Sequence, residues 1–275
     1  MLLLENILYG VISGLTEFLP VSARGHQTLL HYMFGNNTGS SLTDLLVHIG
    51  VLFSLFIACR DNIGKLYREQ NAVSVGRKKV RHLDVKSYYD LRLLKSAAIP
   101  IIIGMLLLKV LNNKPAGLLS VMGFCVLNGV ILLIVEHMRR GNRDAKTMSG
   151  FDGMMMGLAT AAATIPGLSG TGLTISYSVA KGADTQNAAN WAILLVIPAM
   201  IITVCCDVFL ILGNGIGPVS VLTVLGSVLA CIGAFCSGYV GISILRLMAA
   251  NSSVFQFSYY SFGAALLTFV LYLLT

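Results

Sequence analysis

The sequence predicts an all-α integral membrane protein with six transmembrane helices and two re-entrant helical hairpins, arranged as an inverted-topology repeat. Three observations carry this prediction. The composition suits lipid: of 275 residues 56% are hydrophobic and 11% charged, with a mean hydropathy of +0.80, whereas a soluble domain carries roughly 25% charge. Six stretches approach the about 20 apolar residues that a span needs. They fall at about 42–59, 93–111, 117–135, 190–212, 219–245 and 254–274. Two further apolar segments, 2–34 and 150–181, are interrupted by polar, Gly- and Pro-rich runs near Pro20–Gly25 and Pro166–Gly172.

In chain order, segment 2–34 comes first. Its halves are too short to span, and irregular backbone inside a bilayer must be buried in protein or line a cavity. It reads as a hairpin that enters the membrane and returns on the same side, as does segment 150–181. The connecting loops fix the orientation. Loop 60–92 holds Arg60, Lys65, Arg68, Arg77, Lys78, Lys79, Arg81, Lys86 and Arg92, and loop 136–149 holds Arg139, Arg140, Arg143 and Lys146. Two spans separate these loops, so they share a side. With re-entrant hairpins, Arg246 at the end of the fifth span joins them, and the positive-inside rule makes that side cytoplasmic. The opposite loops, 36–41, 112–116 and 213–218, carry only Lys114, so both termini face outward. The order is hairpin, three spans, hairpin, three spans. Three is odd, so the second copy is inverted. Residues 1–135 form the first repeat, 136–149 a cytoplasmic linker and 150–275 the second repeat. The hairpin tips then meet near the midplane, where such repeats place binding sites.

Other classes are excluded or unsupported. The net charge of +7 sits in loops, as topology requires, and is no nucleic-acid signal. Loop 60–92 reads as an orientation signal, with docking to anionic lipid or a partner as the alternative. The six cysteines lie inside apolar segments with no CxxC spacing, which reads as filler rather than a metal or disulfide framework. The N-terminus has neither the basic region nor the cleavage site of a signal peptide. Glu5 reads as solvated, Trp191, Tyr259 and Tyr260 as packing or interface anchors, and Asp184 and Asp207 as segment-end residues without chemistry. Asn190 is a candidate cap for the span after the second hairpin.

The candidate site residues cluster at the two breaks. Glu17 precedes Pro20 inside an apolar helix, where an ionisable group is a functional candidate by default. Arg24 and His26 lie on the break, beside Ser22, Gly25 and Thr28. At the second break Ser169 and Thr171 add hydroxyls, and Gly167, Gly170 and Gly172 permit close backbone approach. Helix N-termini at both breaks can direct N–H groups at an anion, and Arg can hold phosphate by bidentate bonds. Glu17 and His26 suit acid and base roles. The alternatives are structural: a Glu17–Arg24 pair that only neutralises buried charge, a satisfied core histidine at His26, and Ser169 and Thr171 as helix caps.

The run Gly14-Leu-Thr-Glu-Phe-Leu-Pro-Val-Ser-Ala-Arg-Gly-His26, with Pro166-Gly-Leu-Ser-Gly-Thr-Gly172 later in the chain, resembles the undecaprenyl-diphosphate phosphatases of the bacitracin-resistance type. Leu46-Val-His-Ile-Gly-Val-Leu-Phe53 and Ala192-Ile-Leu-Leu-Val-Ile-Pro198 fit the same family, so the resemblance covers nearly the whole chain. It implies six spans plus two re-entrant hairpins, location in the bacterial inner membrane, and dephosphorylation of undecaprenyl diphosphate on its outer face to recycle the peptidoglycan lipid carrier. The sequence departs from the family pattern at the site. Ser13 stands where the family has its first Glu, Ala23 where it has a second Ser, Gly170 where it has Arg, and Thr171 where it has Ser. Aligning the repeats on Pro20 and Pro166 places Ala23 on Ser169 and Arg24 on Gly170. Arg24 then replaces the missing arginine from the opposite repeat, and Ser169 is the surviving hydroxyl.

Two functions are open on this reading. In the first, a phosphatase, Glu17, His26 and Ser169 are catalytic, while Ser22, Arg24, Gly25, Thr28, Gly167, Gly170, Thr171 and Gly172 bind substrate. Assistance by Mg2+ or Ca2+ is an open part of this reading, with no metal ligand assigned. In the second, a polyprenyl-phosphate transporter or flippase of the same fold, the lipid is bound without hydrolysis. A receptor or scaffold is a third class, which the buried charges argue against. The expected partners are a polyprenyl phosphate or diphosphate lipid and the membrane, with a homodimer open and no nucleic acid.

Overall fold

The computed structural model describes residues 2–34, 40–74, 85–111, 116–138, 141–215 and 220–274. Among the described residues the regular structure is helical, with no strand. In order, the helices are α1 (Leu2–Phe18), α2 (Ala23–Phe34), α3 (Ser41–Ala58), α4 (Arg60–Ser74), α5 (Val85–Leu111), α6 (Leu118–Glu136), α7 (Gly150–Ala161), α8 (Gly170–Ala180), α9 (Thr185–Asn214), α10 (Val221–Ala250) and α11 (Phe257–Leu274). Among the described residues six segments are long and apolar enough to cross a membrane: α3, α5, α6, α9, α10 and Val254–Leu274, which contains α11. They coincide with the six spans expected from the sequence. Their outer faces expose large apolar side chains such as Ile103, Phe209, Leu212 and Leu266, the surface of a protein solvated by lipid.

The stretch 60–92, expected as a loop, is largely helical. Only Cys59 separates α3 from α4, and α5 starts at Val85. The charges of α4 hide an apolar stripe: Ile63 and Leu66 pack on the core, and Asp61 sits in its first turn, where an acid complements the helix dipole. Arg77, Lys78, Lys79, Arg81, Lys114, Arg139 and Arg140 lie outside the described residues. Arg246 donates to the Ala58 carbonyl at 3.1 Å, closing the end of α3. Asp184, not Asn190, caps α9, accepting from Gln186 N and Asn187 N.

Two pairs of shorter helices, α1–α2 and α7–α8, are broken at residues 19–22 and 165–169. At 1.5 Å per residue these helices measure about 17–25 Å, less than the about 30 Å of a hydrocarbon core. Each pair is anchored by close backbone contact. α1 lies on α10, where a Cβ at Gly10 or Gly14 would overlap the Ala230 or Ala234 carbonyl oxygen. α7 lies on α5 in the same way, with Gly153 and Gly157 against Leu93 and Ala97. Small residues four apart let membrane helices approach this closely. α6 packs on α11, with Gly129 against the Phe262 ring.

At the base of α7, Ser149 and Asp152 form a capping box, and the Tyr177 hydroxyl donates to Asp152 at 2.9 Å. Burial pushes the Asp152 carboxyl up, but the hydrogen bonds from Ser149 and Tyr177 and the charge of Lys181 outweigh it and hold it below the usual carboxylate range.

Candidate functional site

The two breaks meet inside the helix assembly. Ser22 caps α2: its Oγ accepts from Gly25 N at 3.0 Å. The same oxygen accepts from Gly167 N, in the other break, at 2.8 Å. Ser169 caps α8, accepting from Gly172 N at 3.0 Å, and donates to the Leu19 carbonyl at 3.3 Å. Thr171 Oγ1 donates to the Glu17 carbonyl at 3.1 Å. Asn128 of α6, 1% exposed, clamps both: its Nδ2 donates to the Pro20 carbonyl at 3.1 Å and to Ser261 Oγ at 3.0 Å, while its Oδ1 accepts from Ser169 N at 3.1 Å. Buried irregular backbone requires such partners, because unpaired polar groups there cost several kcal/mol each.

The caps correct the internal alignment by one residue. Ser22 corresponds to Ser169, so Ala23 falls on Gly170, Arg24 on Thr171 and Gly25 on Gly172. The alignment on prolines fails because the second break holds one more residue between proline and cap. Gly167 absorbs it with φ +105°, and a Cβ there would strike Phe124 and the Val121 carbonyl.

A cavity of about 30 Å³ opens beside the junction, room for two or three water-sized groups at roughly 10–15 Å³ each. Glu17, Arg24, Ser169, Gly170 and Thr171 line it, so five of the predicted residues converge. Glu17 and Arg24 form no ion pair within 4 Å among the described residues. The remaining predicted residues support the wall from behind. Ser22 is buried in its latch, and Gly25 packs against it. Thr28 Oγ1 donates to the Arg24 carbonyl at 2.8 Å. Gly172 abuts Pro20, and Gly167 abuts α6. His26 is not among the cavity-lining residues. Its Nδ1 contacts the Ser22 carbonyl at 2.6 Å and its Nε2 the Tyr260 hydroxyl at 2.8 Å, with the two rings stacked. Both ring nitrogens are therefore occupied.

Sequence reasoning missed four polar residues here. Gln27 lines the cavity and donates to Ser13 Oγ at 3.2 Å. His48 lines the cavity from α3. Asp207, expected at a segment end, lies inside α9 and bonds His48 Nδ1 at 2.6 Å, with Lys109 Nζ at 3.8 Å from its other oxygen. Asn128 is the fourth. An ionisable residue inside an apolar run was itself the available signal for Asp207 and His48; nothing in their spacing pairs them.

Lipid-facing helices around a cavity lined by a carboxylate, a guanidinium and hydroxyls define a multi-pass membrane protein. The model of the bacitracin resistance protein BacA family matches residues 6–267, and the chain belongs to that family. Curated relatives include the undecaprenyl-diphosphatase of Alkaliphilus metalliredigens, 31% identical over 261 residues and 94% of each chain. That of Treponema denticola is 27% identical over 266 residues and 94% of each chain. That of Methanobrevibacter smithii is 27% identical over 276 residues, 98% of this chain and 97% of its own.

Proposed function

We propose that the protein handles a polyprenyl diphosphate within the membrane and hydrolyses it to the monophosphate, recycling a cell-wall lipid carrier at the bacterial inner membrane. The convergence of Glu17, Arg24, Ser169, Gly170 and Thr171 on one cavity wall carries this reading, and relatives named undecaprenyl-diphosphatase support the substrate. Arg24 and the N–H groups at the α8 N-terminus hold the diphosphate. Arg24 supplies the guanidinium that the family carries at the position of Gly170. Water adds to the terminal phosphorus directly, or Ser169 Oγ adds and water then cleaves the phosphoseryl bond to release phosphate; in either case the bridging P–O bond breaks and its electron pair leaves with the polyprenyl phosphate. Glu17 aligns the attacking oxygen. As the carboxylate on this wall it also fits a divalent cation, since Mg2+ is commonly held by one or two carboxylates plus substrate phosphates. When bound, the cation would offset phosphoryl charge.

We read α1–α2 and α7–α8 as re-entrant hairpins in an inverted repeat of residues 1–135 and 150–275 around the linker 136–149. The packing supports this: α1 against α10 and α7 against α5 are equivalent pairs under such a repeat, as is α6 against α11. The basic residues of 60–92 and 136–149 support a cytoplasmic placement of those segments, with both termini outside.

A transporter or flippase that binds the lipid without hydrolysis is the second reading. One observation favours it: Ser169 Oγ is already engaged by Gly172 N and the Leu19 carbonyl. Phosphate release by the purified protein from a long-chain prenyl diphosphate, with and without Mg2+ or Ca2+, separates the two. Turnover is expected; its absence with monophosphate binding intact overturns hydrolysis in favour of carriage.

A further inference from the structure

The histidine with a free ring nitrogen at the cavity is His48, not His26. His48 lines the cavity beside Glu17 and Arg24. Its Nδ1 is taken by Asp207 Oδ2 at 2.6 Å. That bond fixes the neutral ring's proton on Nδ1 and leaves the Nε2 lone pair available; no described residue bonds Nε2. Lys109 Nζ, 3.8 Å from Oδ1, offsets the negative charge of Asp207. The three residues come from three different spans and occupy one layer. On α5 Met105 lines the cavity and Lys109 stands one turn later, and on α9 Thr203 lines it and Asp207 stands one turn later. One turn from His48 toward the start of α3, Asp44 accepts from Tyr9 Oη at 2.6 Å. The ionisable groups facing His48 are thus Glu17 on α1, Arg24 on α2, Asp44 on α3, Lys109 on α5 and Asp207 on α9, with His31 and Tyr9 beside Asp44.

We propose that His48 is the proton-transfer residue of this cavity and that Asp207 is its positioning residue, a role that rests on the phosphatase reading. As the attacking oxygen adds to phosphorus, its proton passes to His48 Nε2. The resulting imidazolium is stabilised by Asp207. The bridging P–O bond breaks with its electron pair on the polyprenyl phosphate, and Nε2 then returns the proton to a phosphate oxygen of the departing product. Protons and electrons balance without a further reactant. An Asp that orients a His through Nδ1 while Nε2 does the chemistry is a recurrent arrangement in acyl transfer.

The test uses full-length protein in nanodiscs, with phosphate release from a long-chain polyprenyl diphosphate measured between about pH 5 and 9, where an imidazole titrates. His48→Gln is expected to lower kcat about 100-fold or more, the range of lost general acid–base catalysis. It should also abolish the fall in kcat on the acid side while polyprenyl monophosphate still binds. Asp207→Asn is expected to lower kcat with KM and monophosphate binding unchanged, because the imidazole loses the partner that orients it. A monodisperse His48→Gln that keeps kcat and the acid limb overturns the proposal, as does one that loses monophosphate binding together with turnover. If His48→Gln does not fold, Asp207→Asn decides, and a kcat equal to the parent's overturns the proposal. A parent protein without turnover fails the phosphatase reading and this role with it, whereas an active parent with an indifferent His48 fails this role alone.

Discussion

At the first break Ser22 caps α2 and Arg24 lies two residues later; at the second, Ser169 caps α8 and Thr171 stands in the same place. The serines do the same local work, each accepting from the N–H three residues on. The chemistry around the two caps differs. The first break brings a carboxylate and a guanidinium to the cavity, and the second brings hydroxyls and a bare glycine backbone. The two breaks therefore share a capping pattern and not a chemistry. One supplies charge to the cavity wall, and the other supplies hydroxyls and close backbone approach.

The largest expected effect falls on what the breaks share. Asn128→Leu strips the partners from Pro20 O and Ser169 N at once. With about 1–3 kcal/mol for each buried group left unpaired, thermal unfolding in detergent should show a loss of roughly 2–6 kcal/mol. A loss confined to a few tenths would mean that the breaks do not depend on a common clamp. The second effect probes their difference. Arg24→Ala should weaken polyprenyl monophosphate binding by about 1.5–3 kcal/mol, the worth of a charge-assisted bond, whereas Thr171→Val at the equivalent position should cost about half of that or less. Equal losses in a binding titration would erase the division of labour. The smallest effect probes their likeness. Ser22→Ala and Ser169→Ala should each cost about 1 kcal/mol of stability through the lost cap, but only Ser169→Ala should also change turnover.

The six spans were legible because a lipid-facing helix must be apolar along its whole length, and nothing else in the chain imitates that. α4 was not, since its charges outweigh the contribution of Ile63 and Leu66 in any composition window. Glu17, Arg24 and Ser169 were legible as polar residues at breaks. The proline alignment misplaced their partners by one residue because a single left-handed glycine, Gly167, changes the spacing without changing the cap. His48 and Asp207 stood 159 positions apart, each as one polar residue in an apolar run. Asn128 stood in a run that reads as plain span. Their roles exist only where α3, α6 and α9 converge, and periodicity along one helix carries no information about that convergence.

The latch between Ser22 and Gly167 also bears on how the chain is made. The chain is made from its N-terminus, so the Pro20 carbonyl and the second acceptor bond of Ser22 Oγ have no partner until Asn128 of α6 and then Gly167, in the second break, have been synthesised. The first half cannot complete its own interior. Closure of the N-terminal break therefore requires the second break, and a chain truncated before Gly167 would leave the first break without its latch.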